Sequence, residues 1–408
     1  MIEIGTGAIT LGGGGGNWAA LDPVARTAHL YLSPGTGRFA RAGASAAFSQ
    51  LGSFAAAGTR FERAGDGQYW PRGGNVPRLG DHTTGARRWL LEGFATNKCQ
   101  NHNANPTTTA GAFRQGDQAA TLSLVDDSAA IASAGLAQLC PSGQVFVLDN
   151  TLGTGLAYVA FEGVAGNLKP HTGSAYIRGG AGDIRGQFAE GRVDFGASEG
   201  YRRVQGSFTP ADAETRMVIT AKPGQVIHFI LNQFEEGPRP TSPIVVAGSA
   251  VTRAAETFVA GLADLDLSGG VWVFFRGELW GENEPFPPLY VFGSADEERV
   301  TLYLNRATGV LRSSQTSGGV SASINSPVYT TGSTLALAAL YRPGSMSLVV
   351  GGAEVGTATP GALPDLAELI LAARDTGGAG QPAALALAEF WIAPASAFTV
   401  AAMEALTA

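Results

Sequence analysis

The sequence predicts an all-β protein with two tandem jelly-roll β-sandwiches, preceded by an N-terminal arm and β region. The first observation is composition: the 408 residues include 57 glycines, and only 15 % of the residues are charged. Glycine at about twice its usual share, spread along the chain, is typical of a protein with many turns. The second observation is that many short segments alternate apolar and polar residues, as half-buried strands do. The third is the turn signals, such as PSG, LGTG and AKPG, that separate these segments.

Residues 1–95 are predicted to be an attachment and oligomerisation region. Ile2 and Ile4 begin a short β-like piece, and the GGGGG run at 12–16 then interrupts regular structure. Such a tether suits an end that docks on a larger body, and the alternative is an unattached terminus. Short β-like pieces follow, among them HLYLS and TRFERAGDGQYWP.

Residues 96–250 are predicted to form the first sandwich. Its clearest strand segments are ATLSLVDD, GQVFVLDN, GLAYVAFEG, HTGSAYIRG, YRRVQGSFTP, TRMVITAK and QVIHFILNQFEEG. In the last of these, Val226, His228 and Ile230 share one face, while Ile227 and Phe229 share the other. Strands at this spacing, separated by turn signals, are typical of a sandwich.

Residues 257–408 are predicted to form the second sandwich, after a linker of proline and small residues at 240–257. VWVFFRGEL is nearly continuously apolar, which predicts a strand that is buried on both faces. ERVTLYLN alternates regularly, with Val300, Leu302 and Leu304 on one face. The last segment, FTVAAMEALTA, has the spacing of a helix.

Charge and hydropathy argue against several partners. The formal charge is −7, and no Lys/Arg cluster is present that would follow a phosphate backbone, so we expect no nucleic-acid partner. No apolar run reaches membrane-spanning length, so we expect no membrane insertion. The start, MIEIGTGAIT, lacks a charged region followed by a long apolar one, so we expect no secretory signal. Cys99 and Cys140 are predicted to be separate reduced thiols, with a disulfide as the alternative.

Several segments, taken in order, resemble structural proteins of tailed phages, prophages and phage-like gene transfer agents. They are LLEGFATN (90–97), VFVLDNTLGTGLAYVAFEGVAGNLKPHTGSAYIRGG (145–180), YRRVQGSFTP, LNQFEEGPRPTSPIVVAGSAVTRAAE (231–256) and the closing LAEFWIAPASAFTVAAMEALTA. In that family a carbohydrate-binding-module-like sandwich is followed by a concanavalin A/laminin-G-like jelly roll. The resemblance covers roughly residues 24–408. It implies a spike, fibre or tail-tip protein that contacts host glycans, and it carries over no catalytic residue.

The resemblance also gives an interpretation of the amide-rich stretch RRWLLEGFATNKCQNHNANP, at 87–106. Trp89, Leu90 and Leu91 would be a strand edge that packs against the first sandwich. Asn97 to Asn105 would be a turn-rich entry, because asparagine side chains bond their own backbone in turns. The alternative is a glycan contact at Asn101, His102 and Asn103. The sequence departs from the pattern that is commoner in the family at Trp89, Lys98, Cys99 and His102. The family's ligand contacts therefore cannot be assigned to residues of this chain.

Catalytic chemistry finds little support in the residue pattern. A glycoside hydrolase needs two carboxylates across the scissile bond, and the candidate acids are Asp126, Asp127, Glu235, Glu236, Glu282 and Glu284. Neighbouring acids on a strand point to opposite faces, and we interpret these acids as solvated surface residues. The five histidines (His29, His82, His102, His171 and His228) show no metal-ligand spacing. We predict no cofactor. Structural calcium is left open at the acidic loops DDS (126–128), GSADEE (293–298) and ARDTGG (373–378).

Glycan binding needs exposed aromatic rings together with polar side chains that bond hydroxyl groups. The loop LWGENEPFPPLY (279–290) combines them, and Tyr69-Trp70 is the second candidate. The predicted glycan-binding residues are Trp280, Glu282, Asn283, Glu284, Tyr290, Tyr69 and Trp70. The alternative for each aromatic is a core residue that anchors a turn. Trp272 and Trp391, inside strand segments, are predicted to be core.

The predicted function is therefore non-catalytic attachment of a virion, or of a phage-like particle, to host surface polysaccharide. The chain would lie on the particle surface after assembly in the bacterial cytoplasm. Capsid, portal or tail proteins would contact its N-terminal region, and it would form a homo-oligomer, a trimer or a pentamer. One alternative is a purely structural spike base or adaptor. The other is a capsule-degrading hydrolase.

Overall fold

A computed structural model describes residues 22–56, 59–64, 67–80, 88–99, 103–280, 285–374 and 383–408. The predicted arm at residues 1–20, with its GGGGG run, lies outside the described residues. The described ranges are almost entirely β, and every paired strand is antiparallel to its neighbour. The predicted all-β fold class is confirmed.

The strands and helices follow one another along the chain in this order. The first part contains α1 (Pro23–Thr27), β1 (Leu30–Ser33), β2 (Arg38–Arg41), β3 (Ala44–Ser45), β4 (Ser53–Ala55), β5 (Arg60–Arg63), β6 (Tyr69–Arg72), β7 (Arg78–Leu79), β8 (Trp89–Leu91), β9 (Ala95–Asn97), β10 (Ala112–Gly116), β11 (Thr121–Asp126), α2 (Ser128–Ser133), β12 (Gln144–Asp149), β13 (Ala157–Phe161), β14 (His171–Gly179), β15 (Gly182–Gly186), β16 (Val193–Phe195), β17 (Ser198–Phe208), β18 (Met217–Ala221), β19 (Val226–Glu236) and β20 (Val251–Arg253). The second part contains β21 (Thr257–Gly261), β22 (Val271–Trp280), β23 (Pro288–Ala295), β24 (Glu298–Asn305), β25 (Val310–Ser317), β26 (Val320–Val328), β27 (Thr334–Arg342), β28 (Ser345–Val350), β29 (Ala353–Ala358), β30 (Glu368–Leu371), β31 (Ala384–Pro394) and α3 (Val400–Thr407). Two short 3-10 helices lie at Pro34–Thr36 and Phe48–Gln50.

The chain divides into two compact units that are not consecutive in sequence. Unit 1 holds the described residues of the segments 1–57, 74–93 and 255–408. Unit 2 holds those of 58–73 and 94–254. Unit 2 is therefore inserted into unit 1, whose sandwich is built from both ends of the chain.

Unit 1 is a sandwich of a ten-stranded and a seven-stranded sheet. The larger sheet runs β29-β28-β27-β22-β31-β1-β2-β3, and β8 adds to β31 while β7 adds to β8. The smaller sheet runs β26-β25-β24-β23-β30-β21-β4. The alternating residues of β24 explain the inner face, because Val300, Leu302 and Leu304 all enter the core between the sheets.

The described N-terminal segments are divided between the two units, with β1–β4, β7 and β8 in the sheets of unit 1, which corrects the prediction of a separate region at 1–95. β1 pairs Leu30–Leu32 with the last strand of the chain, β31, and β8 pairs Trp89–Leu91 with the same strand. The Trp89 ring is buried against Phe48, Phe54 and Phe258, with centroid distances of 5.1, 5.9 and 5.1 Å. The prediction that 89–91 packs against the first sandwich is therefore wrong. Alternation identifies a strand but leaves its partner undetermined.

The outer face of the ten-stranded sheet is also buried. Trp272, Phe274 and Trp391 project from it, and the rings of Phe274 and Trp391 stack at 4.8 Å. Helix α3 covers them with Met403, which confirms the predicted C-terminal helix and the core positions of Trp272 and Trp391. Thr399 caps this helix by accepting a hydrogen bond from Ala402 N at 3.2 Å. The prediction that β22 is buried on both faces is confirmed.

Unit 2 is a sandwich of two five-stranded sheets, close in extent to the predicted 96–250. One sheet runs β10-β13-β18-β15-β16, and the other runs β11-β12-β19-β14-β17. Their inner faces share an apolar core around Phe146, Phe161 and Phe229. Helix α2 and the β5–β6 hairpin contribute Ile131 and Tyr69 to a second apolar cluster in this unit.

Two asparagines of the amide-rich stretch hold the entry to unit 2 by hydrogen bonds to distant segments, whereas the interpretation of a turn-rich entry predicted hydrogen bonds to their own backbone. The Nδ2 atoms of Asn97 and Asn103 both donate to the carbonyl oxygens of Asn232 and Ile244, at 3.0–3.2 Å. Both side chains are buried, so the proposed glycan contact at Asn103 is not supported. Asn101 and His102 lie outside the described residues.

Both cysteines are free and buried, which confirms the prediction of two separate thiols. Burial raises the pKa of Cys140 to about 12 and also raises that of Cys99, so both thiols stay protonated near neutral pH. Among the described residues, no helix is both long and apolar enough to span a membrane.

We expect Trp89→Ala to destabilise unit 1 by about 3–5 kcal/mol, because it opens a cavity inside the aromatic cluster. Chemical denaturation of the full chain measures this change. Val328→Ala is the control, since Val328 is 74 % exposed on β26 and its loss should cost no more than about 0.5 kcal/mol. Equal stability of the two variants would show that residues 74–93 are dispensable for the sandwich.

Candidate functional site

The candidate site lies on the outer face of the seven-stranded sheet of unit 1. Because Val300, Leu302 and Leu304 of β24 point inward, the alternate residues Arg299, Thr301 and Tyr303 project outward. β23 pairs with β24 so that Val291 lies opposite Thr301 and Pro288 opposite Tyr303. The side chains of Val291 and Thr301, which are small and lie on two neighbouring strands, thus form the floor of the site.

A proline-rich segment fixes an aromatic ring at one end of this floor. The carbonyl oxygens of Pro285 and Pro287 accept hydrogen bonds from Arg306 N and Leu304 N, each at 3.1 Å. Prolines suit this segment because they have a fixed φ and no N–H that would need a partner. Phe286 lies between them, 42 % exposed, and its ring meets the Tyr303 ring at 5.7 Å and 80°.

Two guanidinium groups stand at the other end. Arg299 comes from β24, and Arg374 follows β30 after Ala372, which has a left-handed backbone with a φ of 63°. That conformation is unfavourable for alanine, and it is held by a hydrogen bond from Ala372 N to the Leu289 carbonyl at 3.1 Å. Backbone strain thus accompanies the turn that leads to Arg374.

Asp296, in the turn between β23 and β24, joins the two arginines. Its Oδ1 accepts from Arg299 and from Arg374, each at 2.5 Å. The hydrogen bond from Arg374 and the charge of Arg299 hold the pKa of Asp296 below its usual range, so this carboxylate is ionised at neutral pH. The acidic loops at 293–298 and 373–378 therefore meet through an ion pair at their described residues.

Together these side chains enclose a cavity of about 140 Å³. Its lining residues are Phe286, Pro288, Val291, Arg299, Thr301, Tyr303 and Arg374. The volume is small beside the ~300–1,000 Å³ clefts that bury drug-sized ligands. A ligand bound in this cavity would leave much of its surface in water. A single unit of a longer polymer would be bound in this way. We call these seven residues, with Asp296, the arginine groove.

A strip of hydroxyl groups continues from the groove across β25 and β26. Ser314 lies opposite Thr301, and Ser323 opposite Ser314. In the next row Ser321 receives a hydrogen bond from Thr316 at 3.1 Å. These short polar side chains line the outer face of the sheet, where Thr301 and Ser314 are buried and Ser321 is exposed.

The structure separates the residues of the loop predicted from sequence. Tyr290 is fully buried and shares a hydrogen bond of 2.9 Å with Tyr341, whose hydroxyl is 2.6 Å from Ser313 Oγ. Burial, together with Tyr341, raises the pKa of Tyr290 well above its usual value. Its ring presents no face to solvent, so it anchors the core. Glu282, Asn283 and Glu284 lie outside the described residues, as does the side chain of Trp280.

The second predicted pair is divided in the same way. Tyr69 is buried in unit 2, with its hydroxyl 2.6 Å from that of Tyr176. Trp70, the next residue on β6, is 42 % exposed. Trp70 keeps an accessible ring, but it is not among the residues that line the cavity. Sequence reasoning missed Phe286, Tyr303, Arg299 and Arg374. Of these, only Phe286 carried a local signal, because it lies between prolines in the loop already selected.

The described candidate acids for hydrolysis have local partners. Asp127 receives two hydrogen bonds from Arg178 at 2.6 and 2.8 Å and one from Tyr201 at 2.7 Å. Asp126 bonds Ser128 in the adjoining turn. The carboxylate of Glu235 is fully buried and accepts hydrogen bonds from Gln233 and Thr241, at 2.6–2.8 Å. The interpretation of Asp127 and Glu235 as solvated surface acids is therefore wrong.

The histidines and acidic loops offer no cluster of ligands for a metal ion in the described part of the chain. No three His, Cys, Asp or Glu side chains converge there. Burial lowers the pKa of His171 and of His228. Each contacts neighbouring protein groups: His171 Nδ1 is 2.8 Å from the Lys169 carbonyl, and His228 Nδ1 is 3.4 Å from Asp127.

Comparisons with known proteins gave only distant similarities among solved structures. No family model matches the chain, and no curated protein matches it. Among solved structures, a carbohydrate-binding module of a Ruminococcus gnavus sialidase, bound to α2,6-sialyllactose, is 12 % identical with a TM-score of 0.31, over 36 % of this chain and 87 % of its own. A Limulus polyphemus pentraxin is 12 % identical with a TM-score of 0.27, over 35 % and 70 %. Mouse laminin α1 domains LG4–5 are 13 % identical with a TM-score of 0.22, over 55 % and 81 %.

We expect Tyr290→Phe to lower the free energy of unfolding by about 0.5–1.5 kcal/mol, because the buried Tyr341 hydroxyl loses one partner. Denaturant titration measures this. Saccharide binding, assayed on the same preparation, should be unchanged. If Tyr290→Phe weakened saccharide binding without lowering stability, Tyr290 would have to contact the ligand.

Proposed function

We propose that this chain binds carbohydrate without transforming it, and that the arginine groove contacts the sugar. The observation that carries the proposal is the juxtaposition of a partly exposed aromatic pair, Phe286 and Tyr303, with the guanidinium groups of Arg299 and Arg374 around one small cavity. Aromatic faces bury the apolar face of a sugar ring, and fixed polar groups orient its substituents.

The shape of the site supports a polymeric ligand. The cavity is small and lies on the sheet surface, and the polar strip leads away from it to Ser323, which is half-buried, and Ser321, which is exposed. One sugar unit would occupy the cavity while its neighbours lie along the strip. Few groups contact each unit, so a single site would bind weakly, and several copies of the chain would be needed for firm attachment.

The setting we propose is the surface of a phage-like particle, where the chain acts as a homo-oligomeric spike or fibre that attaches to host polysaccharide. Support comes from the order of sequence segments that resembles phage structural proteins, between residues 90 and 408. Weak sites on a repeated, surface-borne chain gain affinity through effective concentration. The particle surface therefore suits the kind of site that the groove provides.

Phe286→Ala and Tyr303→Ala should each weaken binding of the best ligand on a glycan array by roughly tenfold, because a ring contact of about 1.4 kcal/mol is lost. Calorimetry with that ligand gives the affinity. Val320→Ala is the control, since Val320 is a 69 % exposed apolar residue of the same unit outside the groove lining.

Two outcomes would overturn the proposal. If Val320→Ala weakens binding as much as Phe286→Ala, or if no glycan is bound, the groove is not a sugar site. Either result would favour the alternative of a purely structural spike base or adaptor. If purified chain releases reducing ends from host polysaccharide, the protein is a hydrolase. Glu282→Gln and Glu284→Gln would then identify the acids.

The particle setting has its own test. Particles released by the source bacterium should contain this chain in a fixed ratio to the capsid protein, because a spike occupies defined positions on the particle. Quantitative mass spectrometry of gradient-purified particles measures the ratio. A chain that remains in the soluble fraction would contradict a virion role while leaving sugar binding intact.

A further inference from the structure

We propose that the arginine groove selects saccharides that carry a carboxylate or sulfate group, and that Asp296 occupies the two guanidinium groups until such a ligand displaces it. This inference rests on the proposed sugar-binding function of the same groove. It adds the chemical class of the ligand and an internal competitor for it.

The geometry of the two arginines favours an anion. Arg299 and Arg374 are 75 positions apart in sequence, yet their guanidinium groups reach the same carboxylate oxygen, each at 2.5 Å. Two guanidinium groups that converge on one oxygen form charge-assisted hydrogen bonds, which are about twice as strong as neutral ones. Guanidinium also matches the planar oxygens of carboxylate and the oxygens of sulfate better than ammonium does.

Asp296 is well placed to leave. Its side chain is 66 % exposed and lies in the two-residue turn between β23 and β24, so it can swing into water without disturbing the core. Glu298, two residues further on, is held elsewhere, because it accepts a hydrogen bond from Ser317 Oγ at 3.0 Å. A ligand anion would thus replace one solvent-exposed ion pair with another that also brings a sugar ring onto Phe286 and Tyr303.

The two guanidinium groups concentrate positive charge in a chain whose formal charge is −7. With the Asp296 carboxylate they sum to +1, and Glu297 and Glu298 follow directly in the sequence. Displacement of Asp296 would expose both positive charges to the ligand. An acidic polysaccharide would therefore be repelled by most of the surface and attracted at this point, which favours specific over diffuse binding.

The test compares three oligosaccharides of similar length: chitotetraose (neutral), a hyaluronan tetrasaccharide (carboxylate) and a sulfated chondroitin tetrasaccharide. The full-length protein should bind an anionic probe more tightly than the neutral one, and added salt should weaken only the anionic binding. Binding of the hyaluronan probe would show that a carboxylate suffices, and tighter binding of the chondroitin probe, which carries carboxylates as well as sulfate, would measure what sulfate adds.

Asp296→Asn gives the discriminating result, because removing the internal competitor should tighten binding of the anionic probe roughly two- to fivefold. Glu297→Gln is the matched control, as it removes the same charge one residue away and should change binding little. Arg299→Gln and Arg374→Gln should each weaken anionic binding about tenfold. Arg342→Gln, at an exposed position of β27, should not.

The outcomes separate this inference from the proposed function. Binding of neutral probes through Phe286 and Tyr303, with no preference for anions, would overturn the inference and leave sugar binding standing. Equal gains for Asp296→Asn and Glu297→Gln would overturn the competitor role, since net charge alone would then explain them. A groove that binds none of the probes in an array of neutral and anionic glycans would overturn both.

Discussion

Arg78 is a buried cation on which the path of the chain through unit 1 depends. Its guanidinium donates to Glu256 at 2.9 and 2.6 Å and to Glu92 at 2.6 Å, and all three side chains are withdrawn from water. Burial opposes the charge, but Glu256 and Glu92 more than offset it and raise the pKa of Arg78 further. Isolated charges at this depth would cost several kcal/mol each, so the three groups must come together. The ion cluster therefore fixes the segment that carries Arg78 and Glu92 relative to the distant segment that carries Glu256.

That constraint acts where unit 2 interrupts unit 1. Glu92 and Glu256 stand on either side of residues 94–254, and they are joined by their backbones as well: Glu256 N donates to the Glu92 carbonyl at 2.8 Å, and Glu92 N donates to Glu256 Oε2 at 2.8 Å. Within unit 2, β9 and β20 pair the entering and leaving segments. Closing a long insertion costs entropy that grows only slowly with length. Because the chain segments at the start and at the end of the insertion are hydrogen-bonded to each other, the insertion is compatible with a continuous sandwich in unit 1.

Local residue patterns predicted the strands, but the partners of the N-terminal strands came from interactions that no local pattern contains. The alternation of 298–305 predicted which β24 residues face the core, and the apolar run of β22 predicted a strand buried on both sides. Trp89 was correctly read as a strand residue but was assigned to the wrong sandwich, because its partner Leu387 is almost 300 positions away. Pairing over such separations is decided by packing and by buried ions such as Arg78, which periodicity does not record.

The candidate site illustrates the same limit. In 288–292 nearly every residue is apolar, so the sequence leaves open which face Tyr290 takes. The structure turns Tyr290 into the core, while Val291 lines the cavity on the other face of the sheet and is itself buried. Phe286 lay in the selected loop, whereas Arg374 was unpredictable because its approach to Arg299 depends on the left-handed turn at Ala372. A loop rich in aromatics and prolines thus located the neighbourhood of the site. The charge of the site, from which the proposed ligand class follows, depends on Arg374 in the turn after β30.

The placement of the groove follows from how a sandwich uses its two faces. Inward residues of β23 and β24 are committed to the core, whereas Arg299 and Tyr303, on the outer face of β24, are only partly buried and can differ in chemistry without changing that core. A rigid sheet holds Arg299, Thr301 and Tyr303 at fixed spacing, and the turns at its edge supply Phe286, Asp296 and Arg374. Residues fixed on the strands provide geometry, while the exposed turn residue Asp296 provides the one contact that can be exchanged. Selectivity would then depend on a single displaceable ion pair, and the fold would not need to move.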